Sequence, residues 1–192
     1  KTPGREADNA YLRALVELCR HLAERHRAQF VLVPNEIHVR EGFPDDRGLC
    51  RLLYAALGQA GLPAEDRALV DGYHTAEAIK SVIGLADVLV ASRFHSLIFG
   101  LSQGVPSMAI SWSHKYRELL ALFGLEDWVV EDRDIDAALL CHRADALLEE
   151  RAAWRERIGA GLVDIRGRIA EPLSALRTAV GGGPSAEGQA RP

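Results

Sequence analysis

Two spacings of apolar residues alternate along this chain. Over residues 8–28, Leu12, Leu15, Val16, Leu18, Cys19 and Leu22 recur three and four apart, which predicts an amphipathic helix capped by Asp8 or Asn9. Phe30-Val31-Leu32-Val33 is apolar at every position until Pro34 ends it, the pattern of a buried parallel strand covered on both faces. From Asn35 to Arg47 the chain is polar, with Gly42 and Pro44. It reads as a loop, long for a strand-to-helix connection, and such loops often carry function. Helical spacing returns with Leu49, Leu52, Leu53, Ala56 and Leu57 and stops at Gly61 and Pro63. A weaker strand, Ala68-Leu69-Val70-Asp71, then leads through a turn at Gly72-Tyr73-His74. Thr75 opens the next helix, with Ile79, Val82 and Ile83 inward.

Asp87-Val88-Leu89-Val90-Ala91 is the clearest strand, and it feeds directly into Ser92-Arg93-Phe94-His95-Ser96 and a helix through Gln103. Gly104-Val105-Pro106 turns the chain into the strand Ser107-Met108-Ala109-Ile110-Ser111. A helix over 115–123 stops at Gly124, and Trp128-Val129-Val130 completes the alternation. Strand-then-helix order with apolar strands predicts an α/β fold: a Rossmann-like parallel sheet with helices on both faces, over residues 8–133. From Asp134 to about Val180 the pattern is helical, with an expected break near Gly159-Ala160-Gly161. This reads as a helical extension (134–180) packing on the domain, its Arg and Glu rows forming a solvated face. Residues 181–192 lack an apolar anchor and are expected to be a disordered tail.

Composition narrows the class. The 192 residues are 48% hydrophobic and 26% charged, which excludes collagen-like, disulfide-rich and wholly disordered chains. A net charge of −4 argues against nucleic acid as a partner, since phosphate neutralisation needs a basic surface. No run approaches the roughly 18 apolar residues of a membrane span, and the polar start Lys1-Thr2-Pro3-Gly4-Arg5-Glu6 does not resemble a signal peptide. Cys19, Cys50 and Cys141 have no CxxC spacing and fall in helical patterns. Buried free thiols in a reducing cytoplasm are the expectation, with no metal site.

In open parallel sheets ligands bind beyond the carboxyl ends of the strands. That rule selects residues 35–40, 72–75, 92–96 and 111–115. The third segment is the richest: a strand ends at Ser92, and a helix begins within four residues carrying Arg93, His95 and Ser96 in its first turn. Free N–H groups and the positive helix end favour an anion there. Arg93 offers a planar charged fork to phosphate or carboxylate, and an imidazole such as His95 exchanges protons near neutral pH. The competing reading pairs Arg93 with an acid such as Asp71 or Asp87 and makes His95 a cap or a packed residue.

Lys115, one of three lysines against 20 arginines, follows the next strand end beside His114. Trp112 either walls the pocket or is buried. Asn35, Glu36 and His38 could reach a ligand from the opposite wall, and His74 could cap the helix at Thr75. His21, His26 and His142 fall on helices away from this crevice and receive no role. GxSxG, HExxH, P-loop and GxGxxG patterns are all absent, which removes nucleophile-elbow hydrolases, zincins, Walker-type enzymes and standard dinucleotide binders.

Asp87 to Ile98 (DVLVASRFHSLI), then Ser102-Gln103-Gly104-Val105-Pro106, resembles the signature of the polysaccharide pyruvyl transferase family. Ala78-Ile79-Lys80-Ser81-Val82-Ile83-Gly84, Ser113-His114-Lys115-Tyr116 and Gly124-Leu125-Glu126-Asp127 resemble it too, and the likeness runs in order over about residues 9–131. The resemblance implies the C-terminal, donor-binding half of a two-domain fold like that of GT-B glycosyltransferases. It further implies transfer of a pyruvyl group from phosphoenolpyruvate to two sugar hydroxyls, forming a ketal during exopolysaccharide biosynthesis. The family's Arg-x-His motif carries over to Arg93 and His95. Ser92, Phe94, Ser96, His114 and Lys115 are then expected to line the donor site, with no cofactor beyond the donor substrate. The partners implied are phosphoenolpyruvate and a saccharide acceptor, and the open cleft face leaves room for a homo-oligomer. Two rivals share the fold: a nucleotide-sugar glycosyltransferase, disfavoured because residues 111–115 lack an acid for a ribose, and a non-catalytic binding half-domain.

Overall fold

Helix and strand alternate as the spacing predicts, in the order α1 (Ala10–His26), β1 (Phe30–Leu32), α2 (Asp46–Gln59), β2 (Arg67–Leu69), α3 (Ala76–Gly84) and β3 (Leu89–Ala91). There follow α4 (Phe94–Ser102), β4 (Ser107–Ser111), α5 (His114–Ala121), β5 (Val129–Glu131), α6 (Ala137–Glu149) and α7 (Arg151–Gly181). The computed structural model describes residues 10–38, 45–111, 113–131 and 135–181. The expected caps Asp8 and Asn9, Trp112, the boundary at 132–134 and the tail from 182 lie outside the described residues.

All described strand pairs are parallel, which places every strand's carboxyl end on one side of the sheet. Phe30 to Leu32 pairs with Arg67 to Leu69, Leu89 to Ala91 with Ser107 to Ala109, and Ala109 to Ser111 with Val129 to Glu131. The strands form two ladders, β1-β2 and β3-β4-β5, rather than one continuous sheet. β4 meets the expectation for a parallel strand: α4 and α6 pack on it, and all five of its residues are buried. β1 does not. Its apolar run predicts cover on both faces, yet Val31 is 54% exposed and its neighbours are only half-buried.

The main core gathers Ala91, Leu97, Leu101, Met108, Ile110, Leu120, Leu125, Leu140, Leu147 and Ile158. A smaller one joins Leu53, Leu57 and Leu62 under α2. α1 connects them, because its apolar stripe is wide enough to serve two neighbours. Leu18 and Leu22 enter the main core, Leu12 and Cys19 the smaller one, and the helix packs against both α2 and α6. Of the cysteines, Cys19 is buried and Cys50 and Cys141 are half-buried, all with free thiols. Burial pushes the thiols of Cys19 and Cys50 up to about 12, with neighbouring charge adding to it, so both are poor nucleophiles.

The α1–α6 junction uses two histidines to which the sequence assigns no role. Asp145 accepts from His21 Nε2 at 2.9 Å and from His26 Nε2 at 2.7 Å, with Arg25 Nε at 3.4 Å. Burial pushes the Asp145 carboxyl up, but the bonds from His21 and His26 and the nearby charges outweigh it and hold it below its ordinary value. A carboxylate depressed in the folded state stabilises above the unfolded-state value, about pH 4, and loses that contribution as pH falls through its folded one. Urea midpoints measured across pH should therefore favour wild type over Asp145→Asn near neutrality, and the difference should vanish in acid. A difference that does not vary with pH would remove the carboxylate from this junction's stability.

The C-terminal helices depart from expectation in one respect. The break falls at Glu150, between α6 and α7, and α7 runs without interruption through Gly159-Ala160-Gly161. Glycine there answers packing, not termination: a Cβ at Gly161 would lie 2.7 Å from Phe123 Cδ1, whereas at Gly159 it would meet nothing within 4 Å. Gly159→Ala should then stabilise by up to about 1 kcal/mol through helix propensity alone. Gly161→Ala should lose that gain to overpacking of roughly 1–3 kcal/mol against a buried ring. Thermal melts showing the same shift for both variants would contradict this.

Candidate functional site

The carboxyl ends of β3 and β4 hand over to α4 and α5, and these two helix starts differ from those of α2, α3 and α6. Asp45, Thr75 and Asp136 cap α2, α3 and α6 through side-chain oxygens that accept from Arg47 N, Ala78 N and Leu139 N. At α4 and α5 the cap positions are Arg93 and Ser113, and neither gives a side-chain cap bond. Without a capping oxygen, first-turn N–H groups stay available to a ligand.

A set of side-chain bonds fixes the start of α4. Tyr11, from the first turn of α1, shares a hydrogen bond with Ser92 Oγ. Tyr116 Oη donates to the Ser92 carbonyl at 3.1 Å, and Asn35 Nδ2 donates to Ser96 Oγ at 2.7 Å. Ser96 is buried. The loop after β1 thus reaches the α4 N-terminus, as its length suggests, through Asn35 and through Glu36; its residues 39–44 lie outside the described residues. Burial raises both tyrosine pKa values, while the Ser92 bond at Tyr11 and the Arg93 charge at Tyr116 act against it, so both phenols stay neutral.

Arg93 forms an ion pair, as the competing reading held, but with other acids. Its Nε and Nη2 donate to Asp46 Oδ1 at 3.0 and 2.7 Å, and Nη1 pairs with Glu36. Asp71 is taken by Arg51, and Asp87 stands near Arg151 and Arg155. The two carboxylates differ in how firmly they are held. Asp46 is 15% exposed and also accepts from the backbone N–H of Asn35 and Glu36, at 3.2 and 2.8 Å. Glu36 is 45% exposed and holds one guanidinium nitrogen. Partial burial works against the Arg93 charge, and Asp46 followed by Glu36 more than offsets it, so the guanidinium stays ionised.

The remaining predicted groups gather around the Phe94 ring. Lys115 Nζ stands 4.7 Å above its centroid and 5.8 Å from that of Tyr116, within cation–π range. The His95 ring meets Phe94 edge-on at 6.4 Å between centroids. His95, His114 and Lys115 are exposed; His95 has no hydrogen-bond partner and Lys115 no acidic partner among the described residues. His74 does not cap α3: its Nε2 bonds the Asp71 carbonyl at 2.8 Å, and His38 lies 3.5 Å from Glu36. Asp46, Tyr11 and Tyr116 are site residues that sequence reasoning did not select. Asp46 could have been found, since it is an acid on the first turn of the helix following the selected loop.

Among the described residues no group of three or more His, Cys, Asp or Glu is arranged to hold a metal ion, and no helix is long and apolar enough to cross a membrane. A family model described as polysaccharide pyruvyl transferase matches residues 2–114, more than half of the chain, from ahead of α1 to the first residue of α5. No curated protein and no solved structure gives a significant match.

Proposed function

Because the chain belongs to the polysaccharide pyruvyl transferase family, we propose that the α4 N-terminus binds phosphoenolpyruvate and supports transfer of its pyruvyl group to a saccharide. The observation that carries this reading is the uncapped start of α4, with Arg93 fixed beside it and Lys115 and His95 both against Phe94. Phosphoenolpyruvate is a compact polyanion, and it needs several positive or N–H groups converging on a small volume. On this reading residues 8–133 form the donor-binding domain of a GT-B-like enzyme, residues 134–180 extend it, and the acceptor occupies a facing half.

The chemistry assigns the groups different work. One sugar hydroxyl adds to C2 as C3 of the enol gains a proton; a second hydroxyl then displaces phosphate, closing the ketal. Of the two hydroxyl protons, one balances the proton taken up at C3 and the other leaves with phosphate. His95 is the general acid for C3, being a titratable side chain at the helix start with no hydrogen-bond partner to compete. Arg93, the first-turn N–H groups and Lys115 bind the donor and stabilise the departing phosphate. Ser92 ties the start of α4 to Tyr11 and Tyr116, Ser96 holds the loop through Asn35, and His114 stands at the start of α5.

Arg93 serves an anion best if one of its carboxylates yields, because the pair of them offsets its charge. Glu36 is the one to move, since it is exposed and meets a single guanidinium nitrogen, with His38 at 3.5 Å, whereas Asp46 is clamped by two guanidinium nitrogens and two backbone donors. Glu36→Gln should therefore tighten phosphoenolpyruvate binding, by roughly 3- to 10-fold, as one competing charge is removed next to a dianionic head. Asp46→Asn should weaken it, since the fork loses its orientation. Calorimetric titration of both variants checks this; weaker binding by Glu36→Gln would mean that the carboxylate holds Arg93 for the donor instead of competing with it. The nucleotide-sugar reading is tested in the same cell with a UDP-sugar in place of phosphoenolpyruvate.

A further inference from the structure

The gap between the two ladders has the form of a place for a strand. Among the described residues β1 hydrogen-bonds only β2 and β3 only β4, so each turns one edge away from its partner. In a parallel ladder successive residues direct their backbone groups to opposite sides. Leu32 O accepts from Val70 N, and Leu89 N donates to Pro106 O, so both of these residues point to their existing partners. Alternation then turns the N–H and C=O of Val31 and Val90 towards the gap. Between them lies a cavity of about 620 Å³, lined on its apolar side by Val31, Val33, Leu89 and Val90, with Leu15 of α1 and Ile83 of α3. Apolar walls with unpaired backbone edges disfavour water and favour an extended chain, which satisfies both.

The winding says which chain. Doubly wound sheets commonly run in the order 3-2-1-4-5-6. Here the order reads β2-β1, then a gap, then β3-β4-β5, which is that arrangement with its innermost strand left out. α2, α4 and α5 each connect two hydrogen-bonded parallel strands. α1 leads into β1 in the same way, with no described strand ahead of it, and it packs between the two cores on either side of the gap. Lys1-Thr2-Pro3-Gly4-Arg5-Glu6 has no apolar run from which to build that strand.

We propose that the gap seats a sixth, central parallel strand, contributed by the polypeptide that leads into Lys1 in the parent protein. It is expected to be four to six residues long, about the length of its neighbours, and Val/Ile/Leu-rich on both faces. It bonds Val31 on one edge and Val90 on the other, and its carboxyl end emerges between Tyr11 and Arg93. The strand thereby supplies the turn before α1 to the crevice already described. The inference rests on sheet topology alone and stands whatever the donor proves to be.

Hydrogen exchange read residue by residue tests it, comparing the 192-residue chain with the same chain extended by the residues that precede it in its gene. The extension should slow exchange of the Val31 and Val90 amides about 100-fold or more, while amides already paired within β4 change little. Val31→Asp should be tolerated in the 192-residue chain, where Val31 is exposed, and should lower the melting temperature sharply in the extended one. Equal exchange in the two proteins would overturn the proposal. So would slow exchange of Val31 and Val90 in the 192-residue chain with contacts between their own amides, which would mean that β1 and β3 pair directly. Protection that rises with protein concentration in the shorter chain would overturn it as well, by assigning the gap to a second copy.

Discussion

His95→Ala is expected to lower pyruvyl transfer by about 10²- to 10⁴-fold, the usual contribution of a positioned general acid. Phosphoenolpyruvate affinity should change by less than about tenfold, because the imidazole is exposed and bonds nothing that holds the pocket together. The separation of the two effects is the informative part. His95 belongs to the first turn of α4, and a structural role would show in the melting temperature and in binding, neither of which should move far. Rapid-quench measurement of phosphate release beside an equilibrium titration distinguishes them. Retained turnover, or binding lost as completely as turnover, would take the acid role away from His95.

Arg93→Ala should act on the other quantity. Hydrogen bonds to charged groups contribute about 1.5–3 kcal/mol each, so losing a fork that makes two to the donor should weaken binding on the order of 100-fold or more. The variant also frees Asp46 and Glu36 to face the site as uncompensated negative charges, which adds repulsion for a polyanion. Arg93→Lys restores charge without the planar fork and should recover only part of the affinity. Folding is a separate matter: Asp46 keeps its two backbone donors when Arg93 is removed, so the melting temperature should fall modestly. Unchanged donor affinity in Arg93→Ala would show that the guanidinium serves Asp46 and Glu36 alone.

Much of this architecture was legible in the chain because local pattern determines it. The continuous apolar runs of β3 and β4, the helical period of α1 and the capping residue Thr75 each act over a few residues. What was not legible depends on what lies next to what. Periodicity reports that Phe30 to Leu32 is a strand but not that one of its edges lacks a neighbour, so the exposure of Val31 could not be read from it. Arg93 offered several acids, Asp71 and Asp87 among them, and sequence distance does not choose its partner. The choice of Asp46 follows from the fold bringing the α2 and α4 N-termini to the same end of the sheet, 47 residues apart in sequence. His21 and His26 found Asp145 for the same reason, across the α1–α6 contact. Gly161 was ambiguous because glycine marks both helix breaks and close approaches, and only the position of Phe123 separates them.

The candidate site follows the same division. Segment 92–96 could be selected because a strand end meeting a helix start is a local event with a known electrostatic consequence. The orientation of its arginine was a tertiary event, set by Asp46 and Glu36.

The most direct test is a calorimetric titration of phosphoenolpyruvate into the protein and its Arg93→Ala and Glu36→Gln variants, with a UDP-sugar run in parallel. Saturable binding of phosphoenolpyruvate that Arg93→Ala abolishes and Glu36→Gln tightens is the predicted result. Binding of the UDP-sugar in its place, or phosphoenolpyruvate affinity indifferent to Arg93, would contradict an anion site at the start of α4.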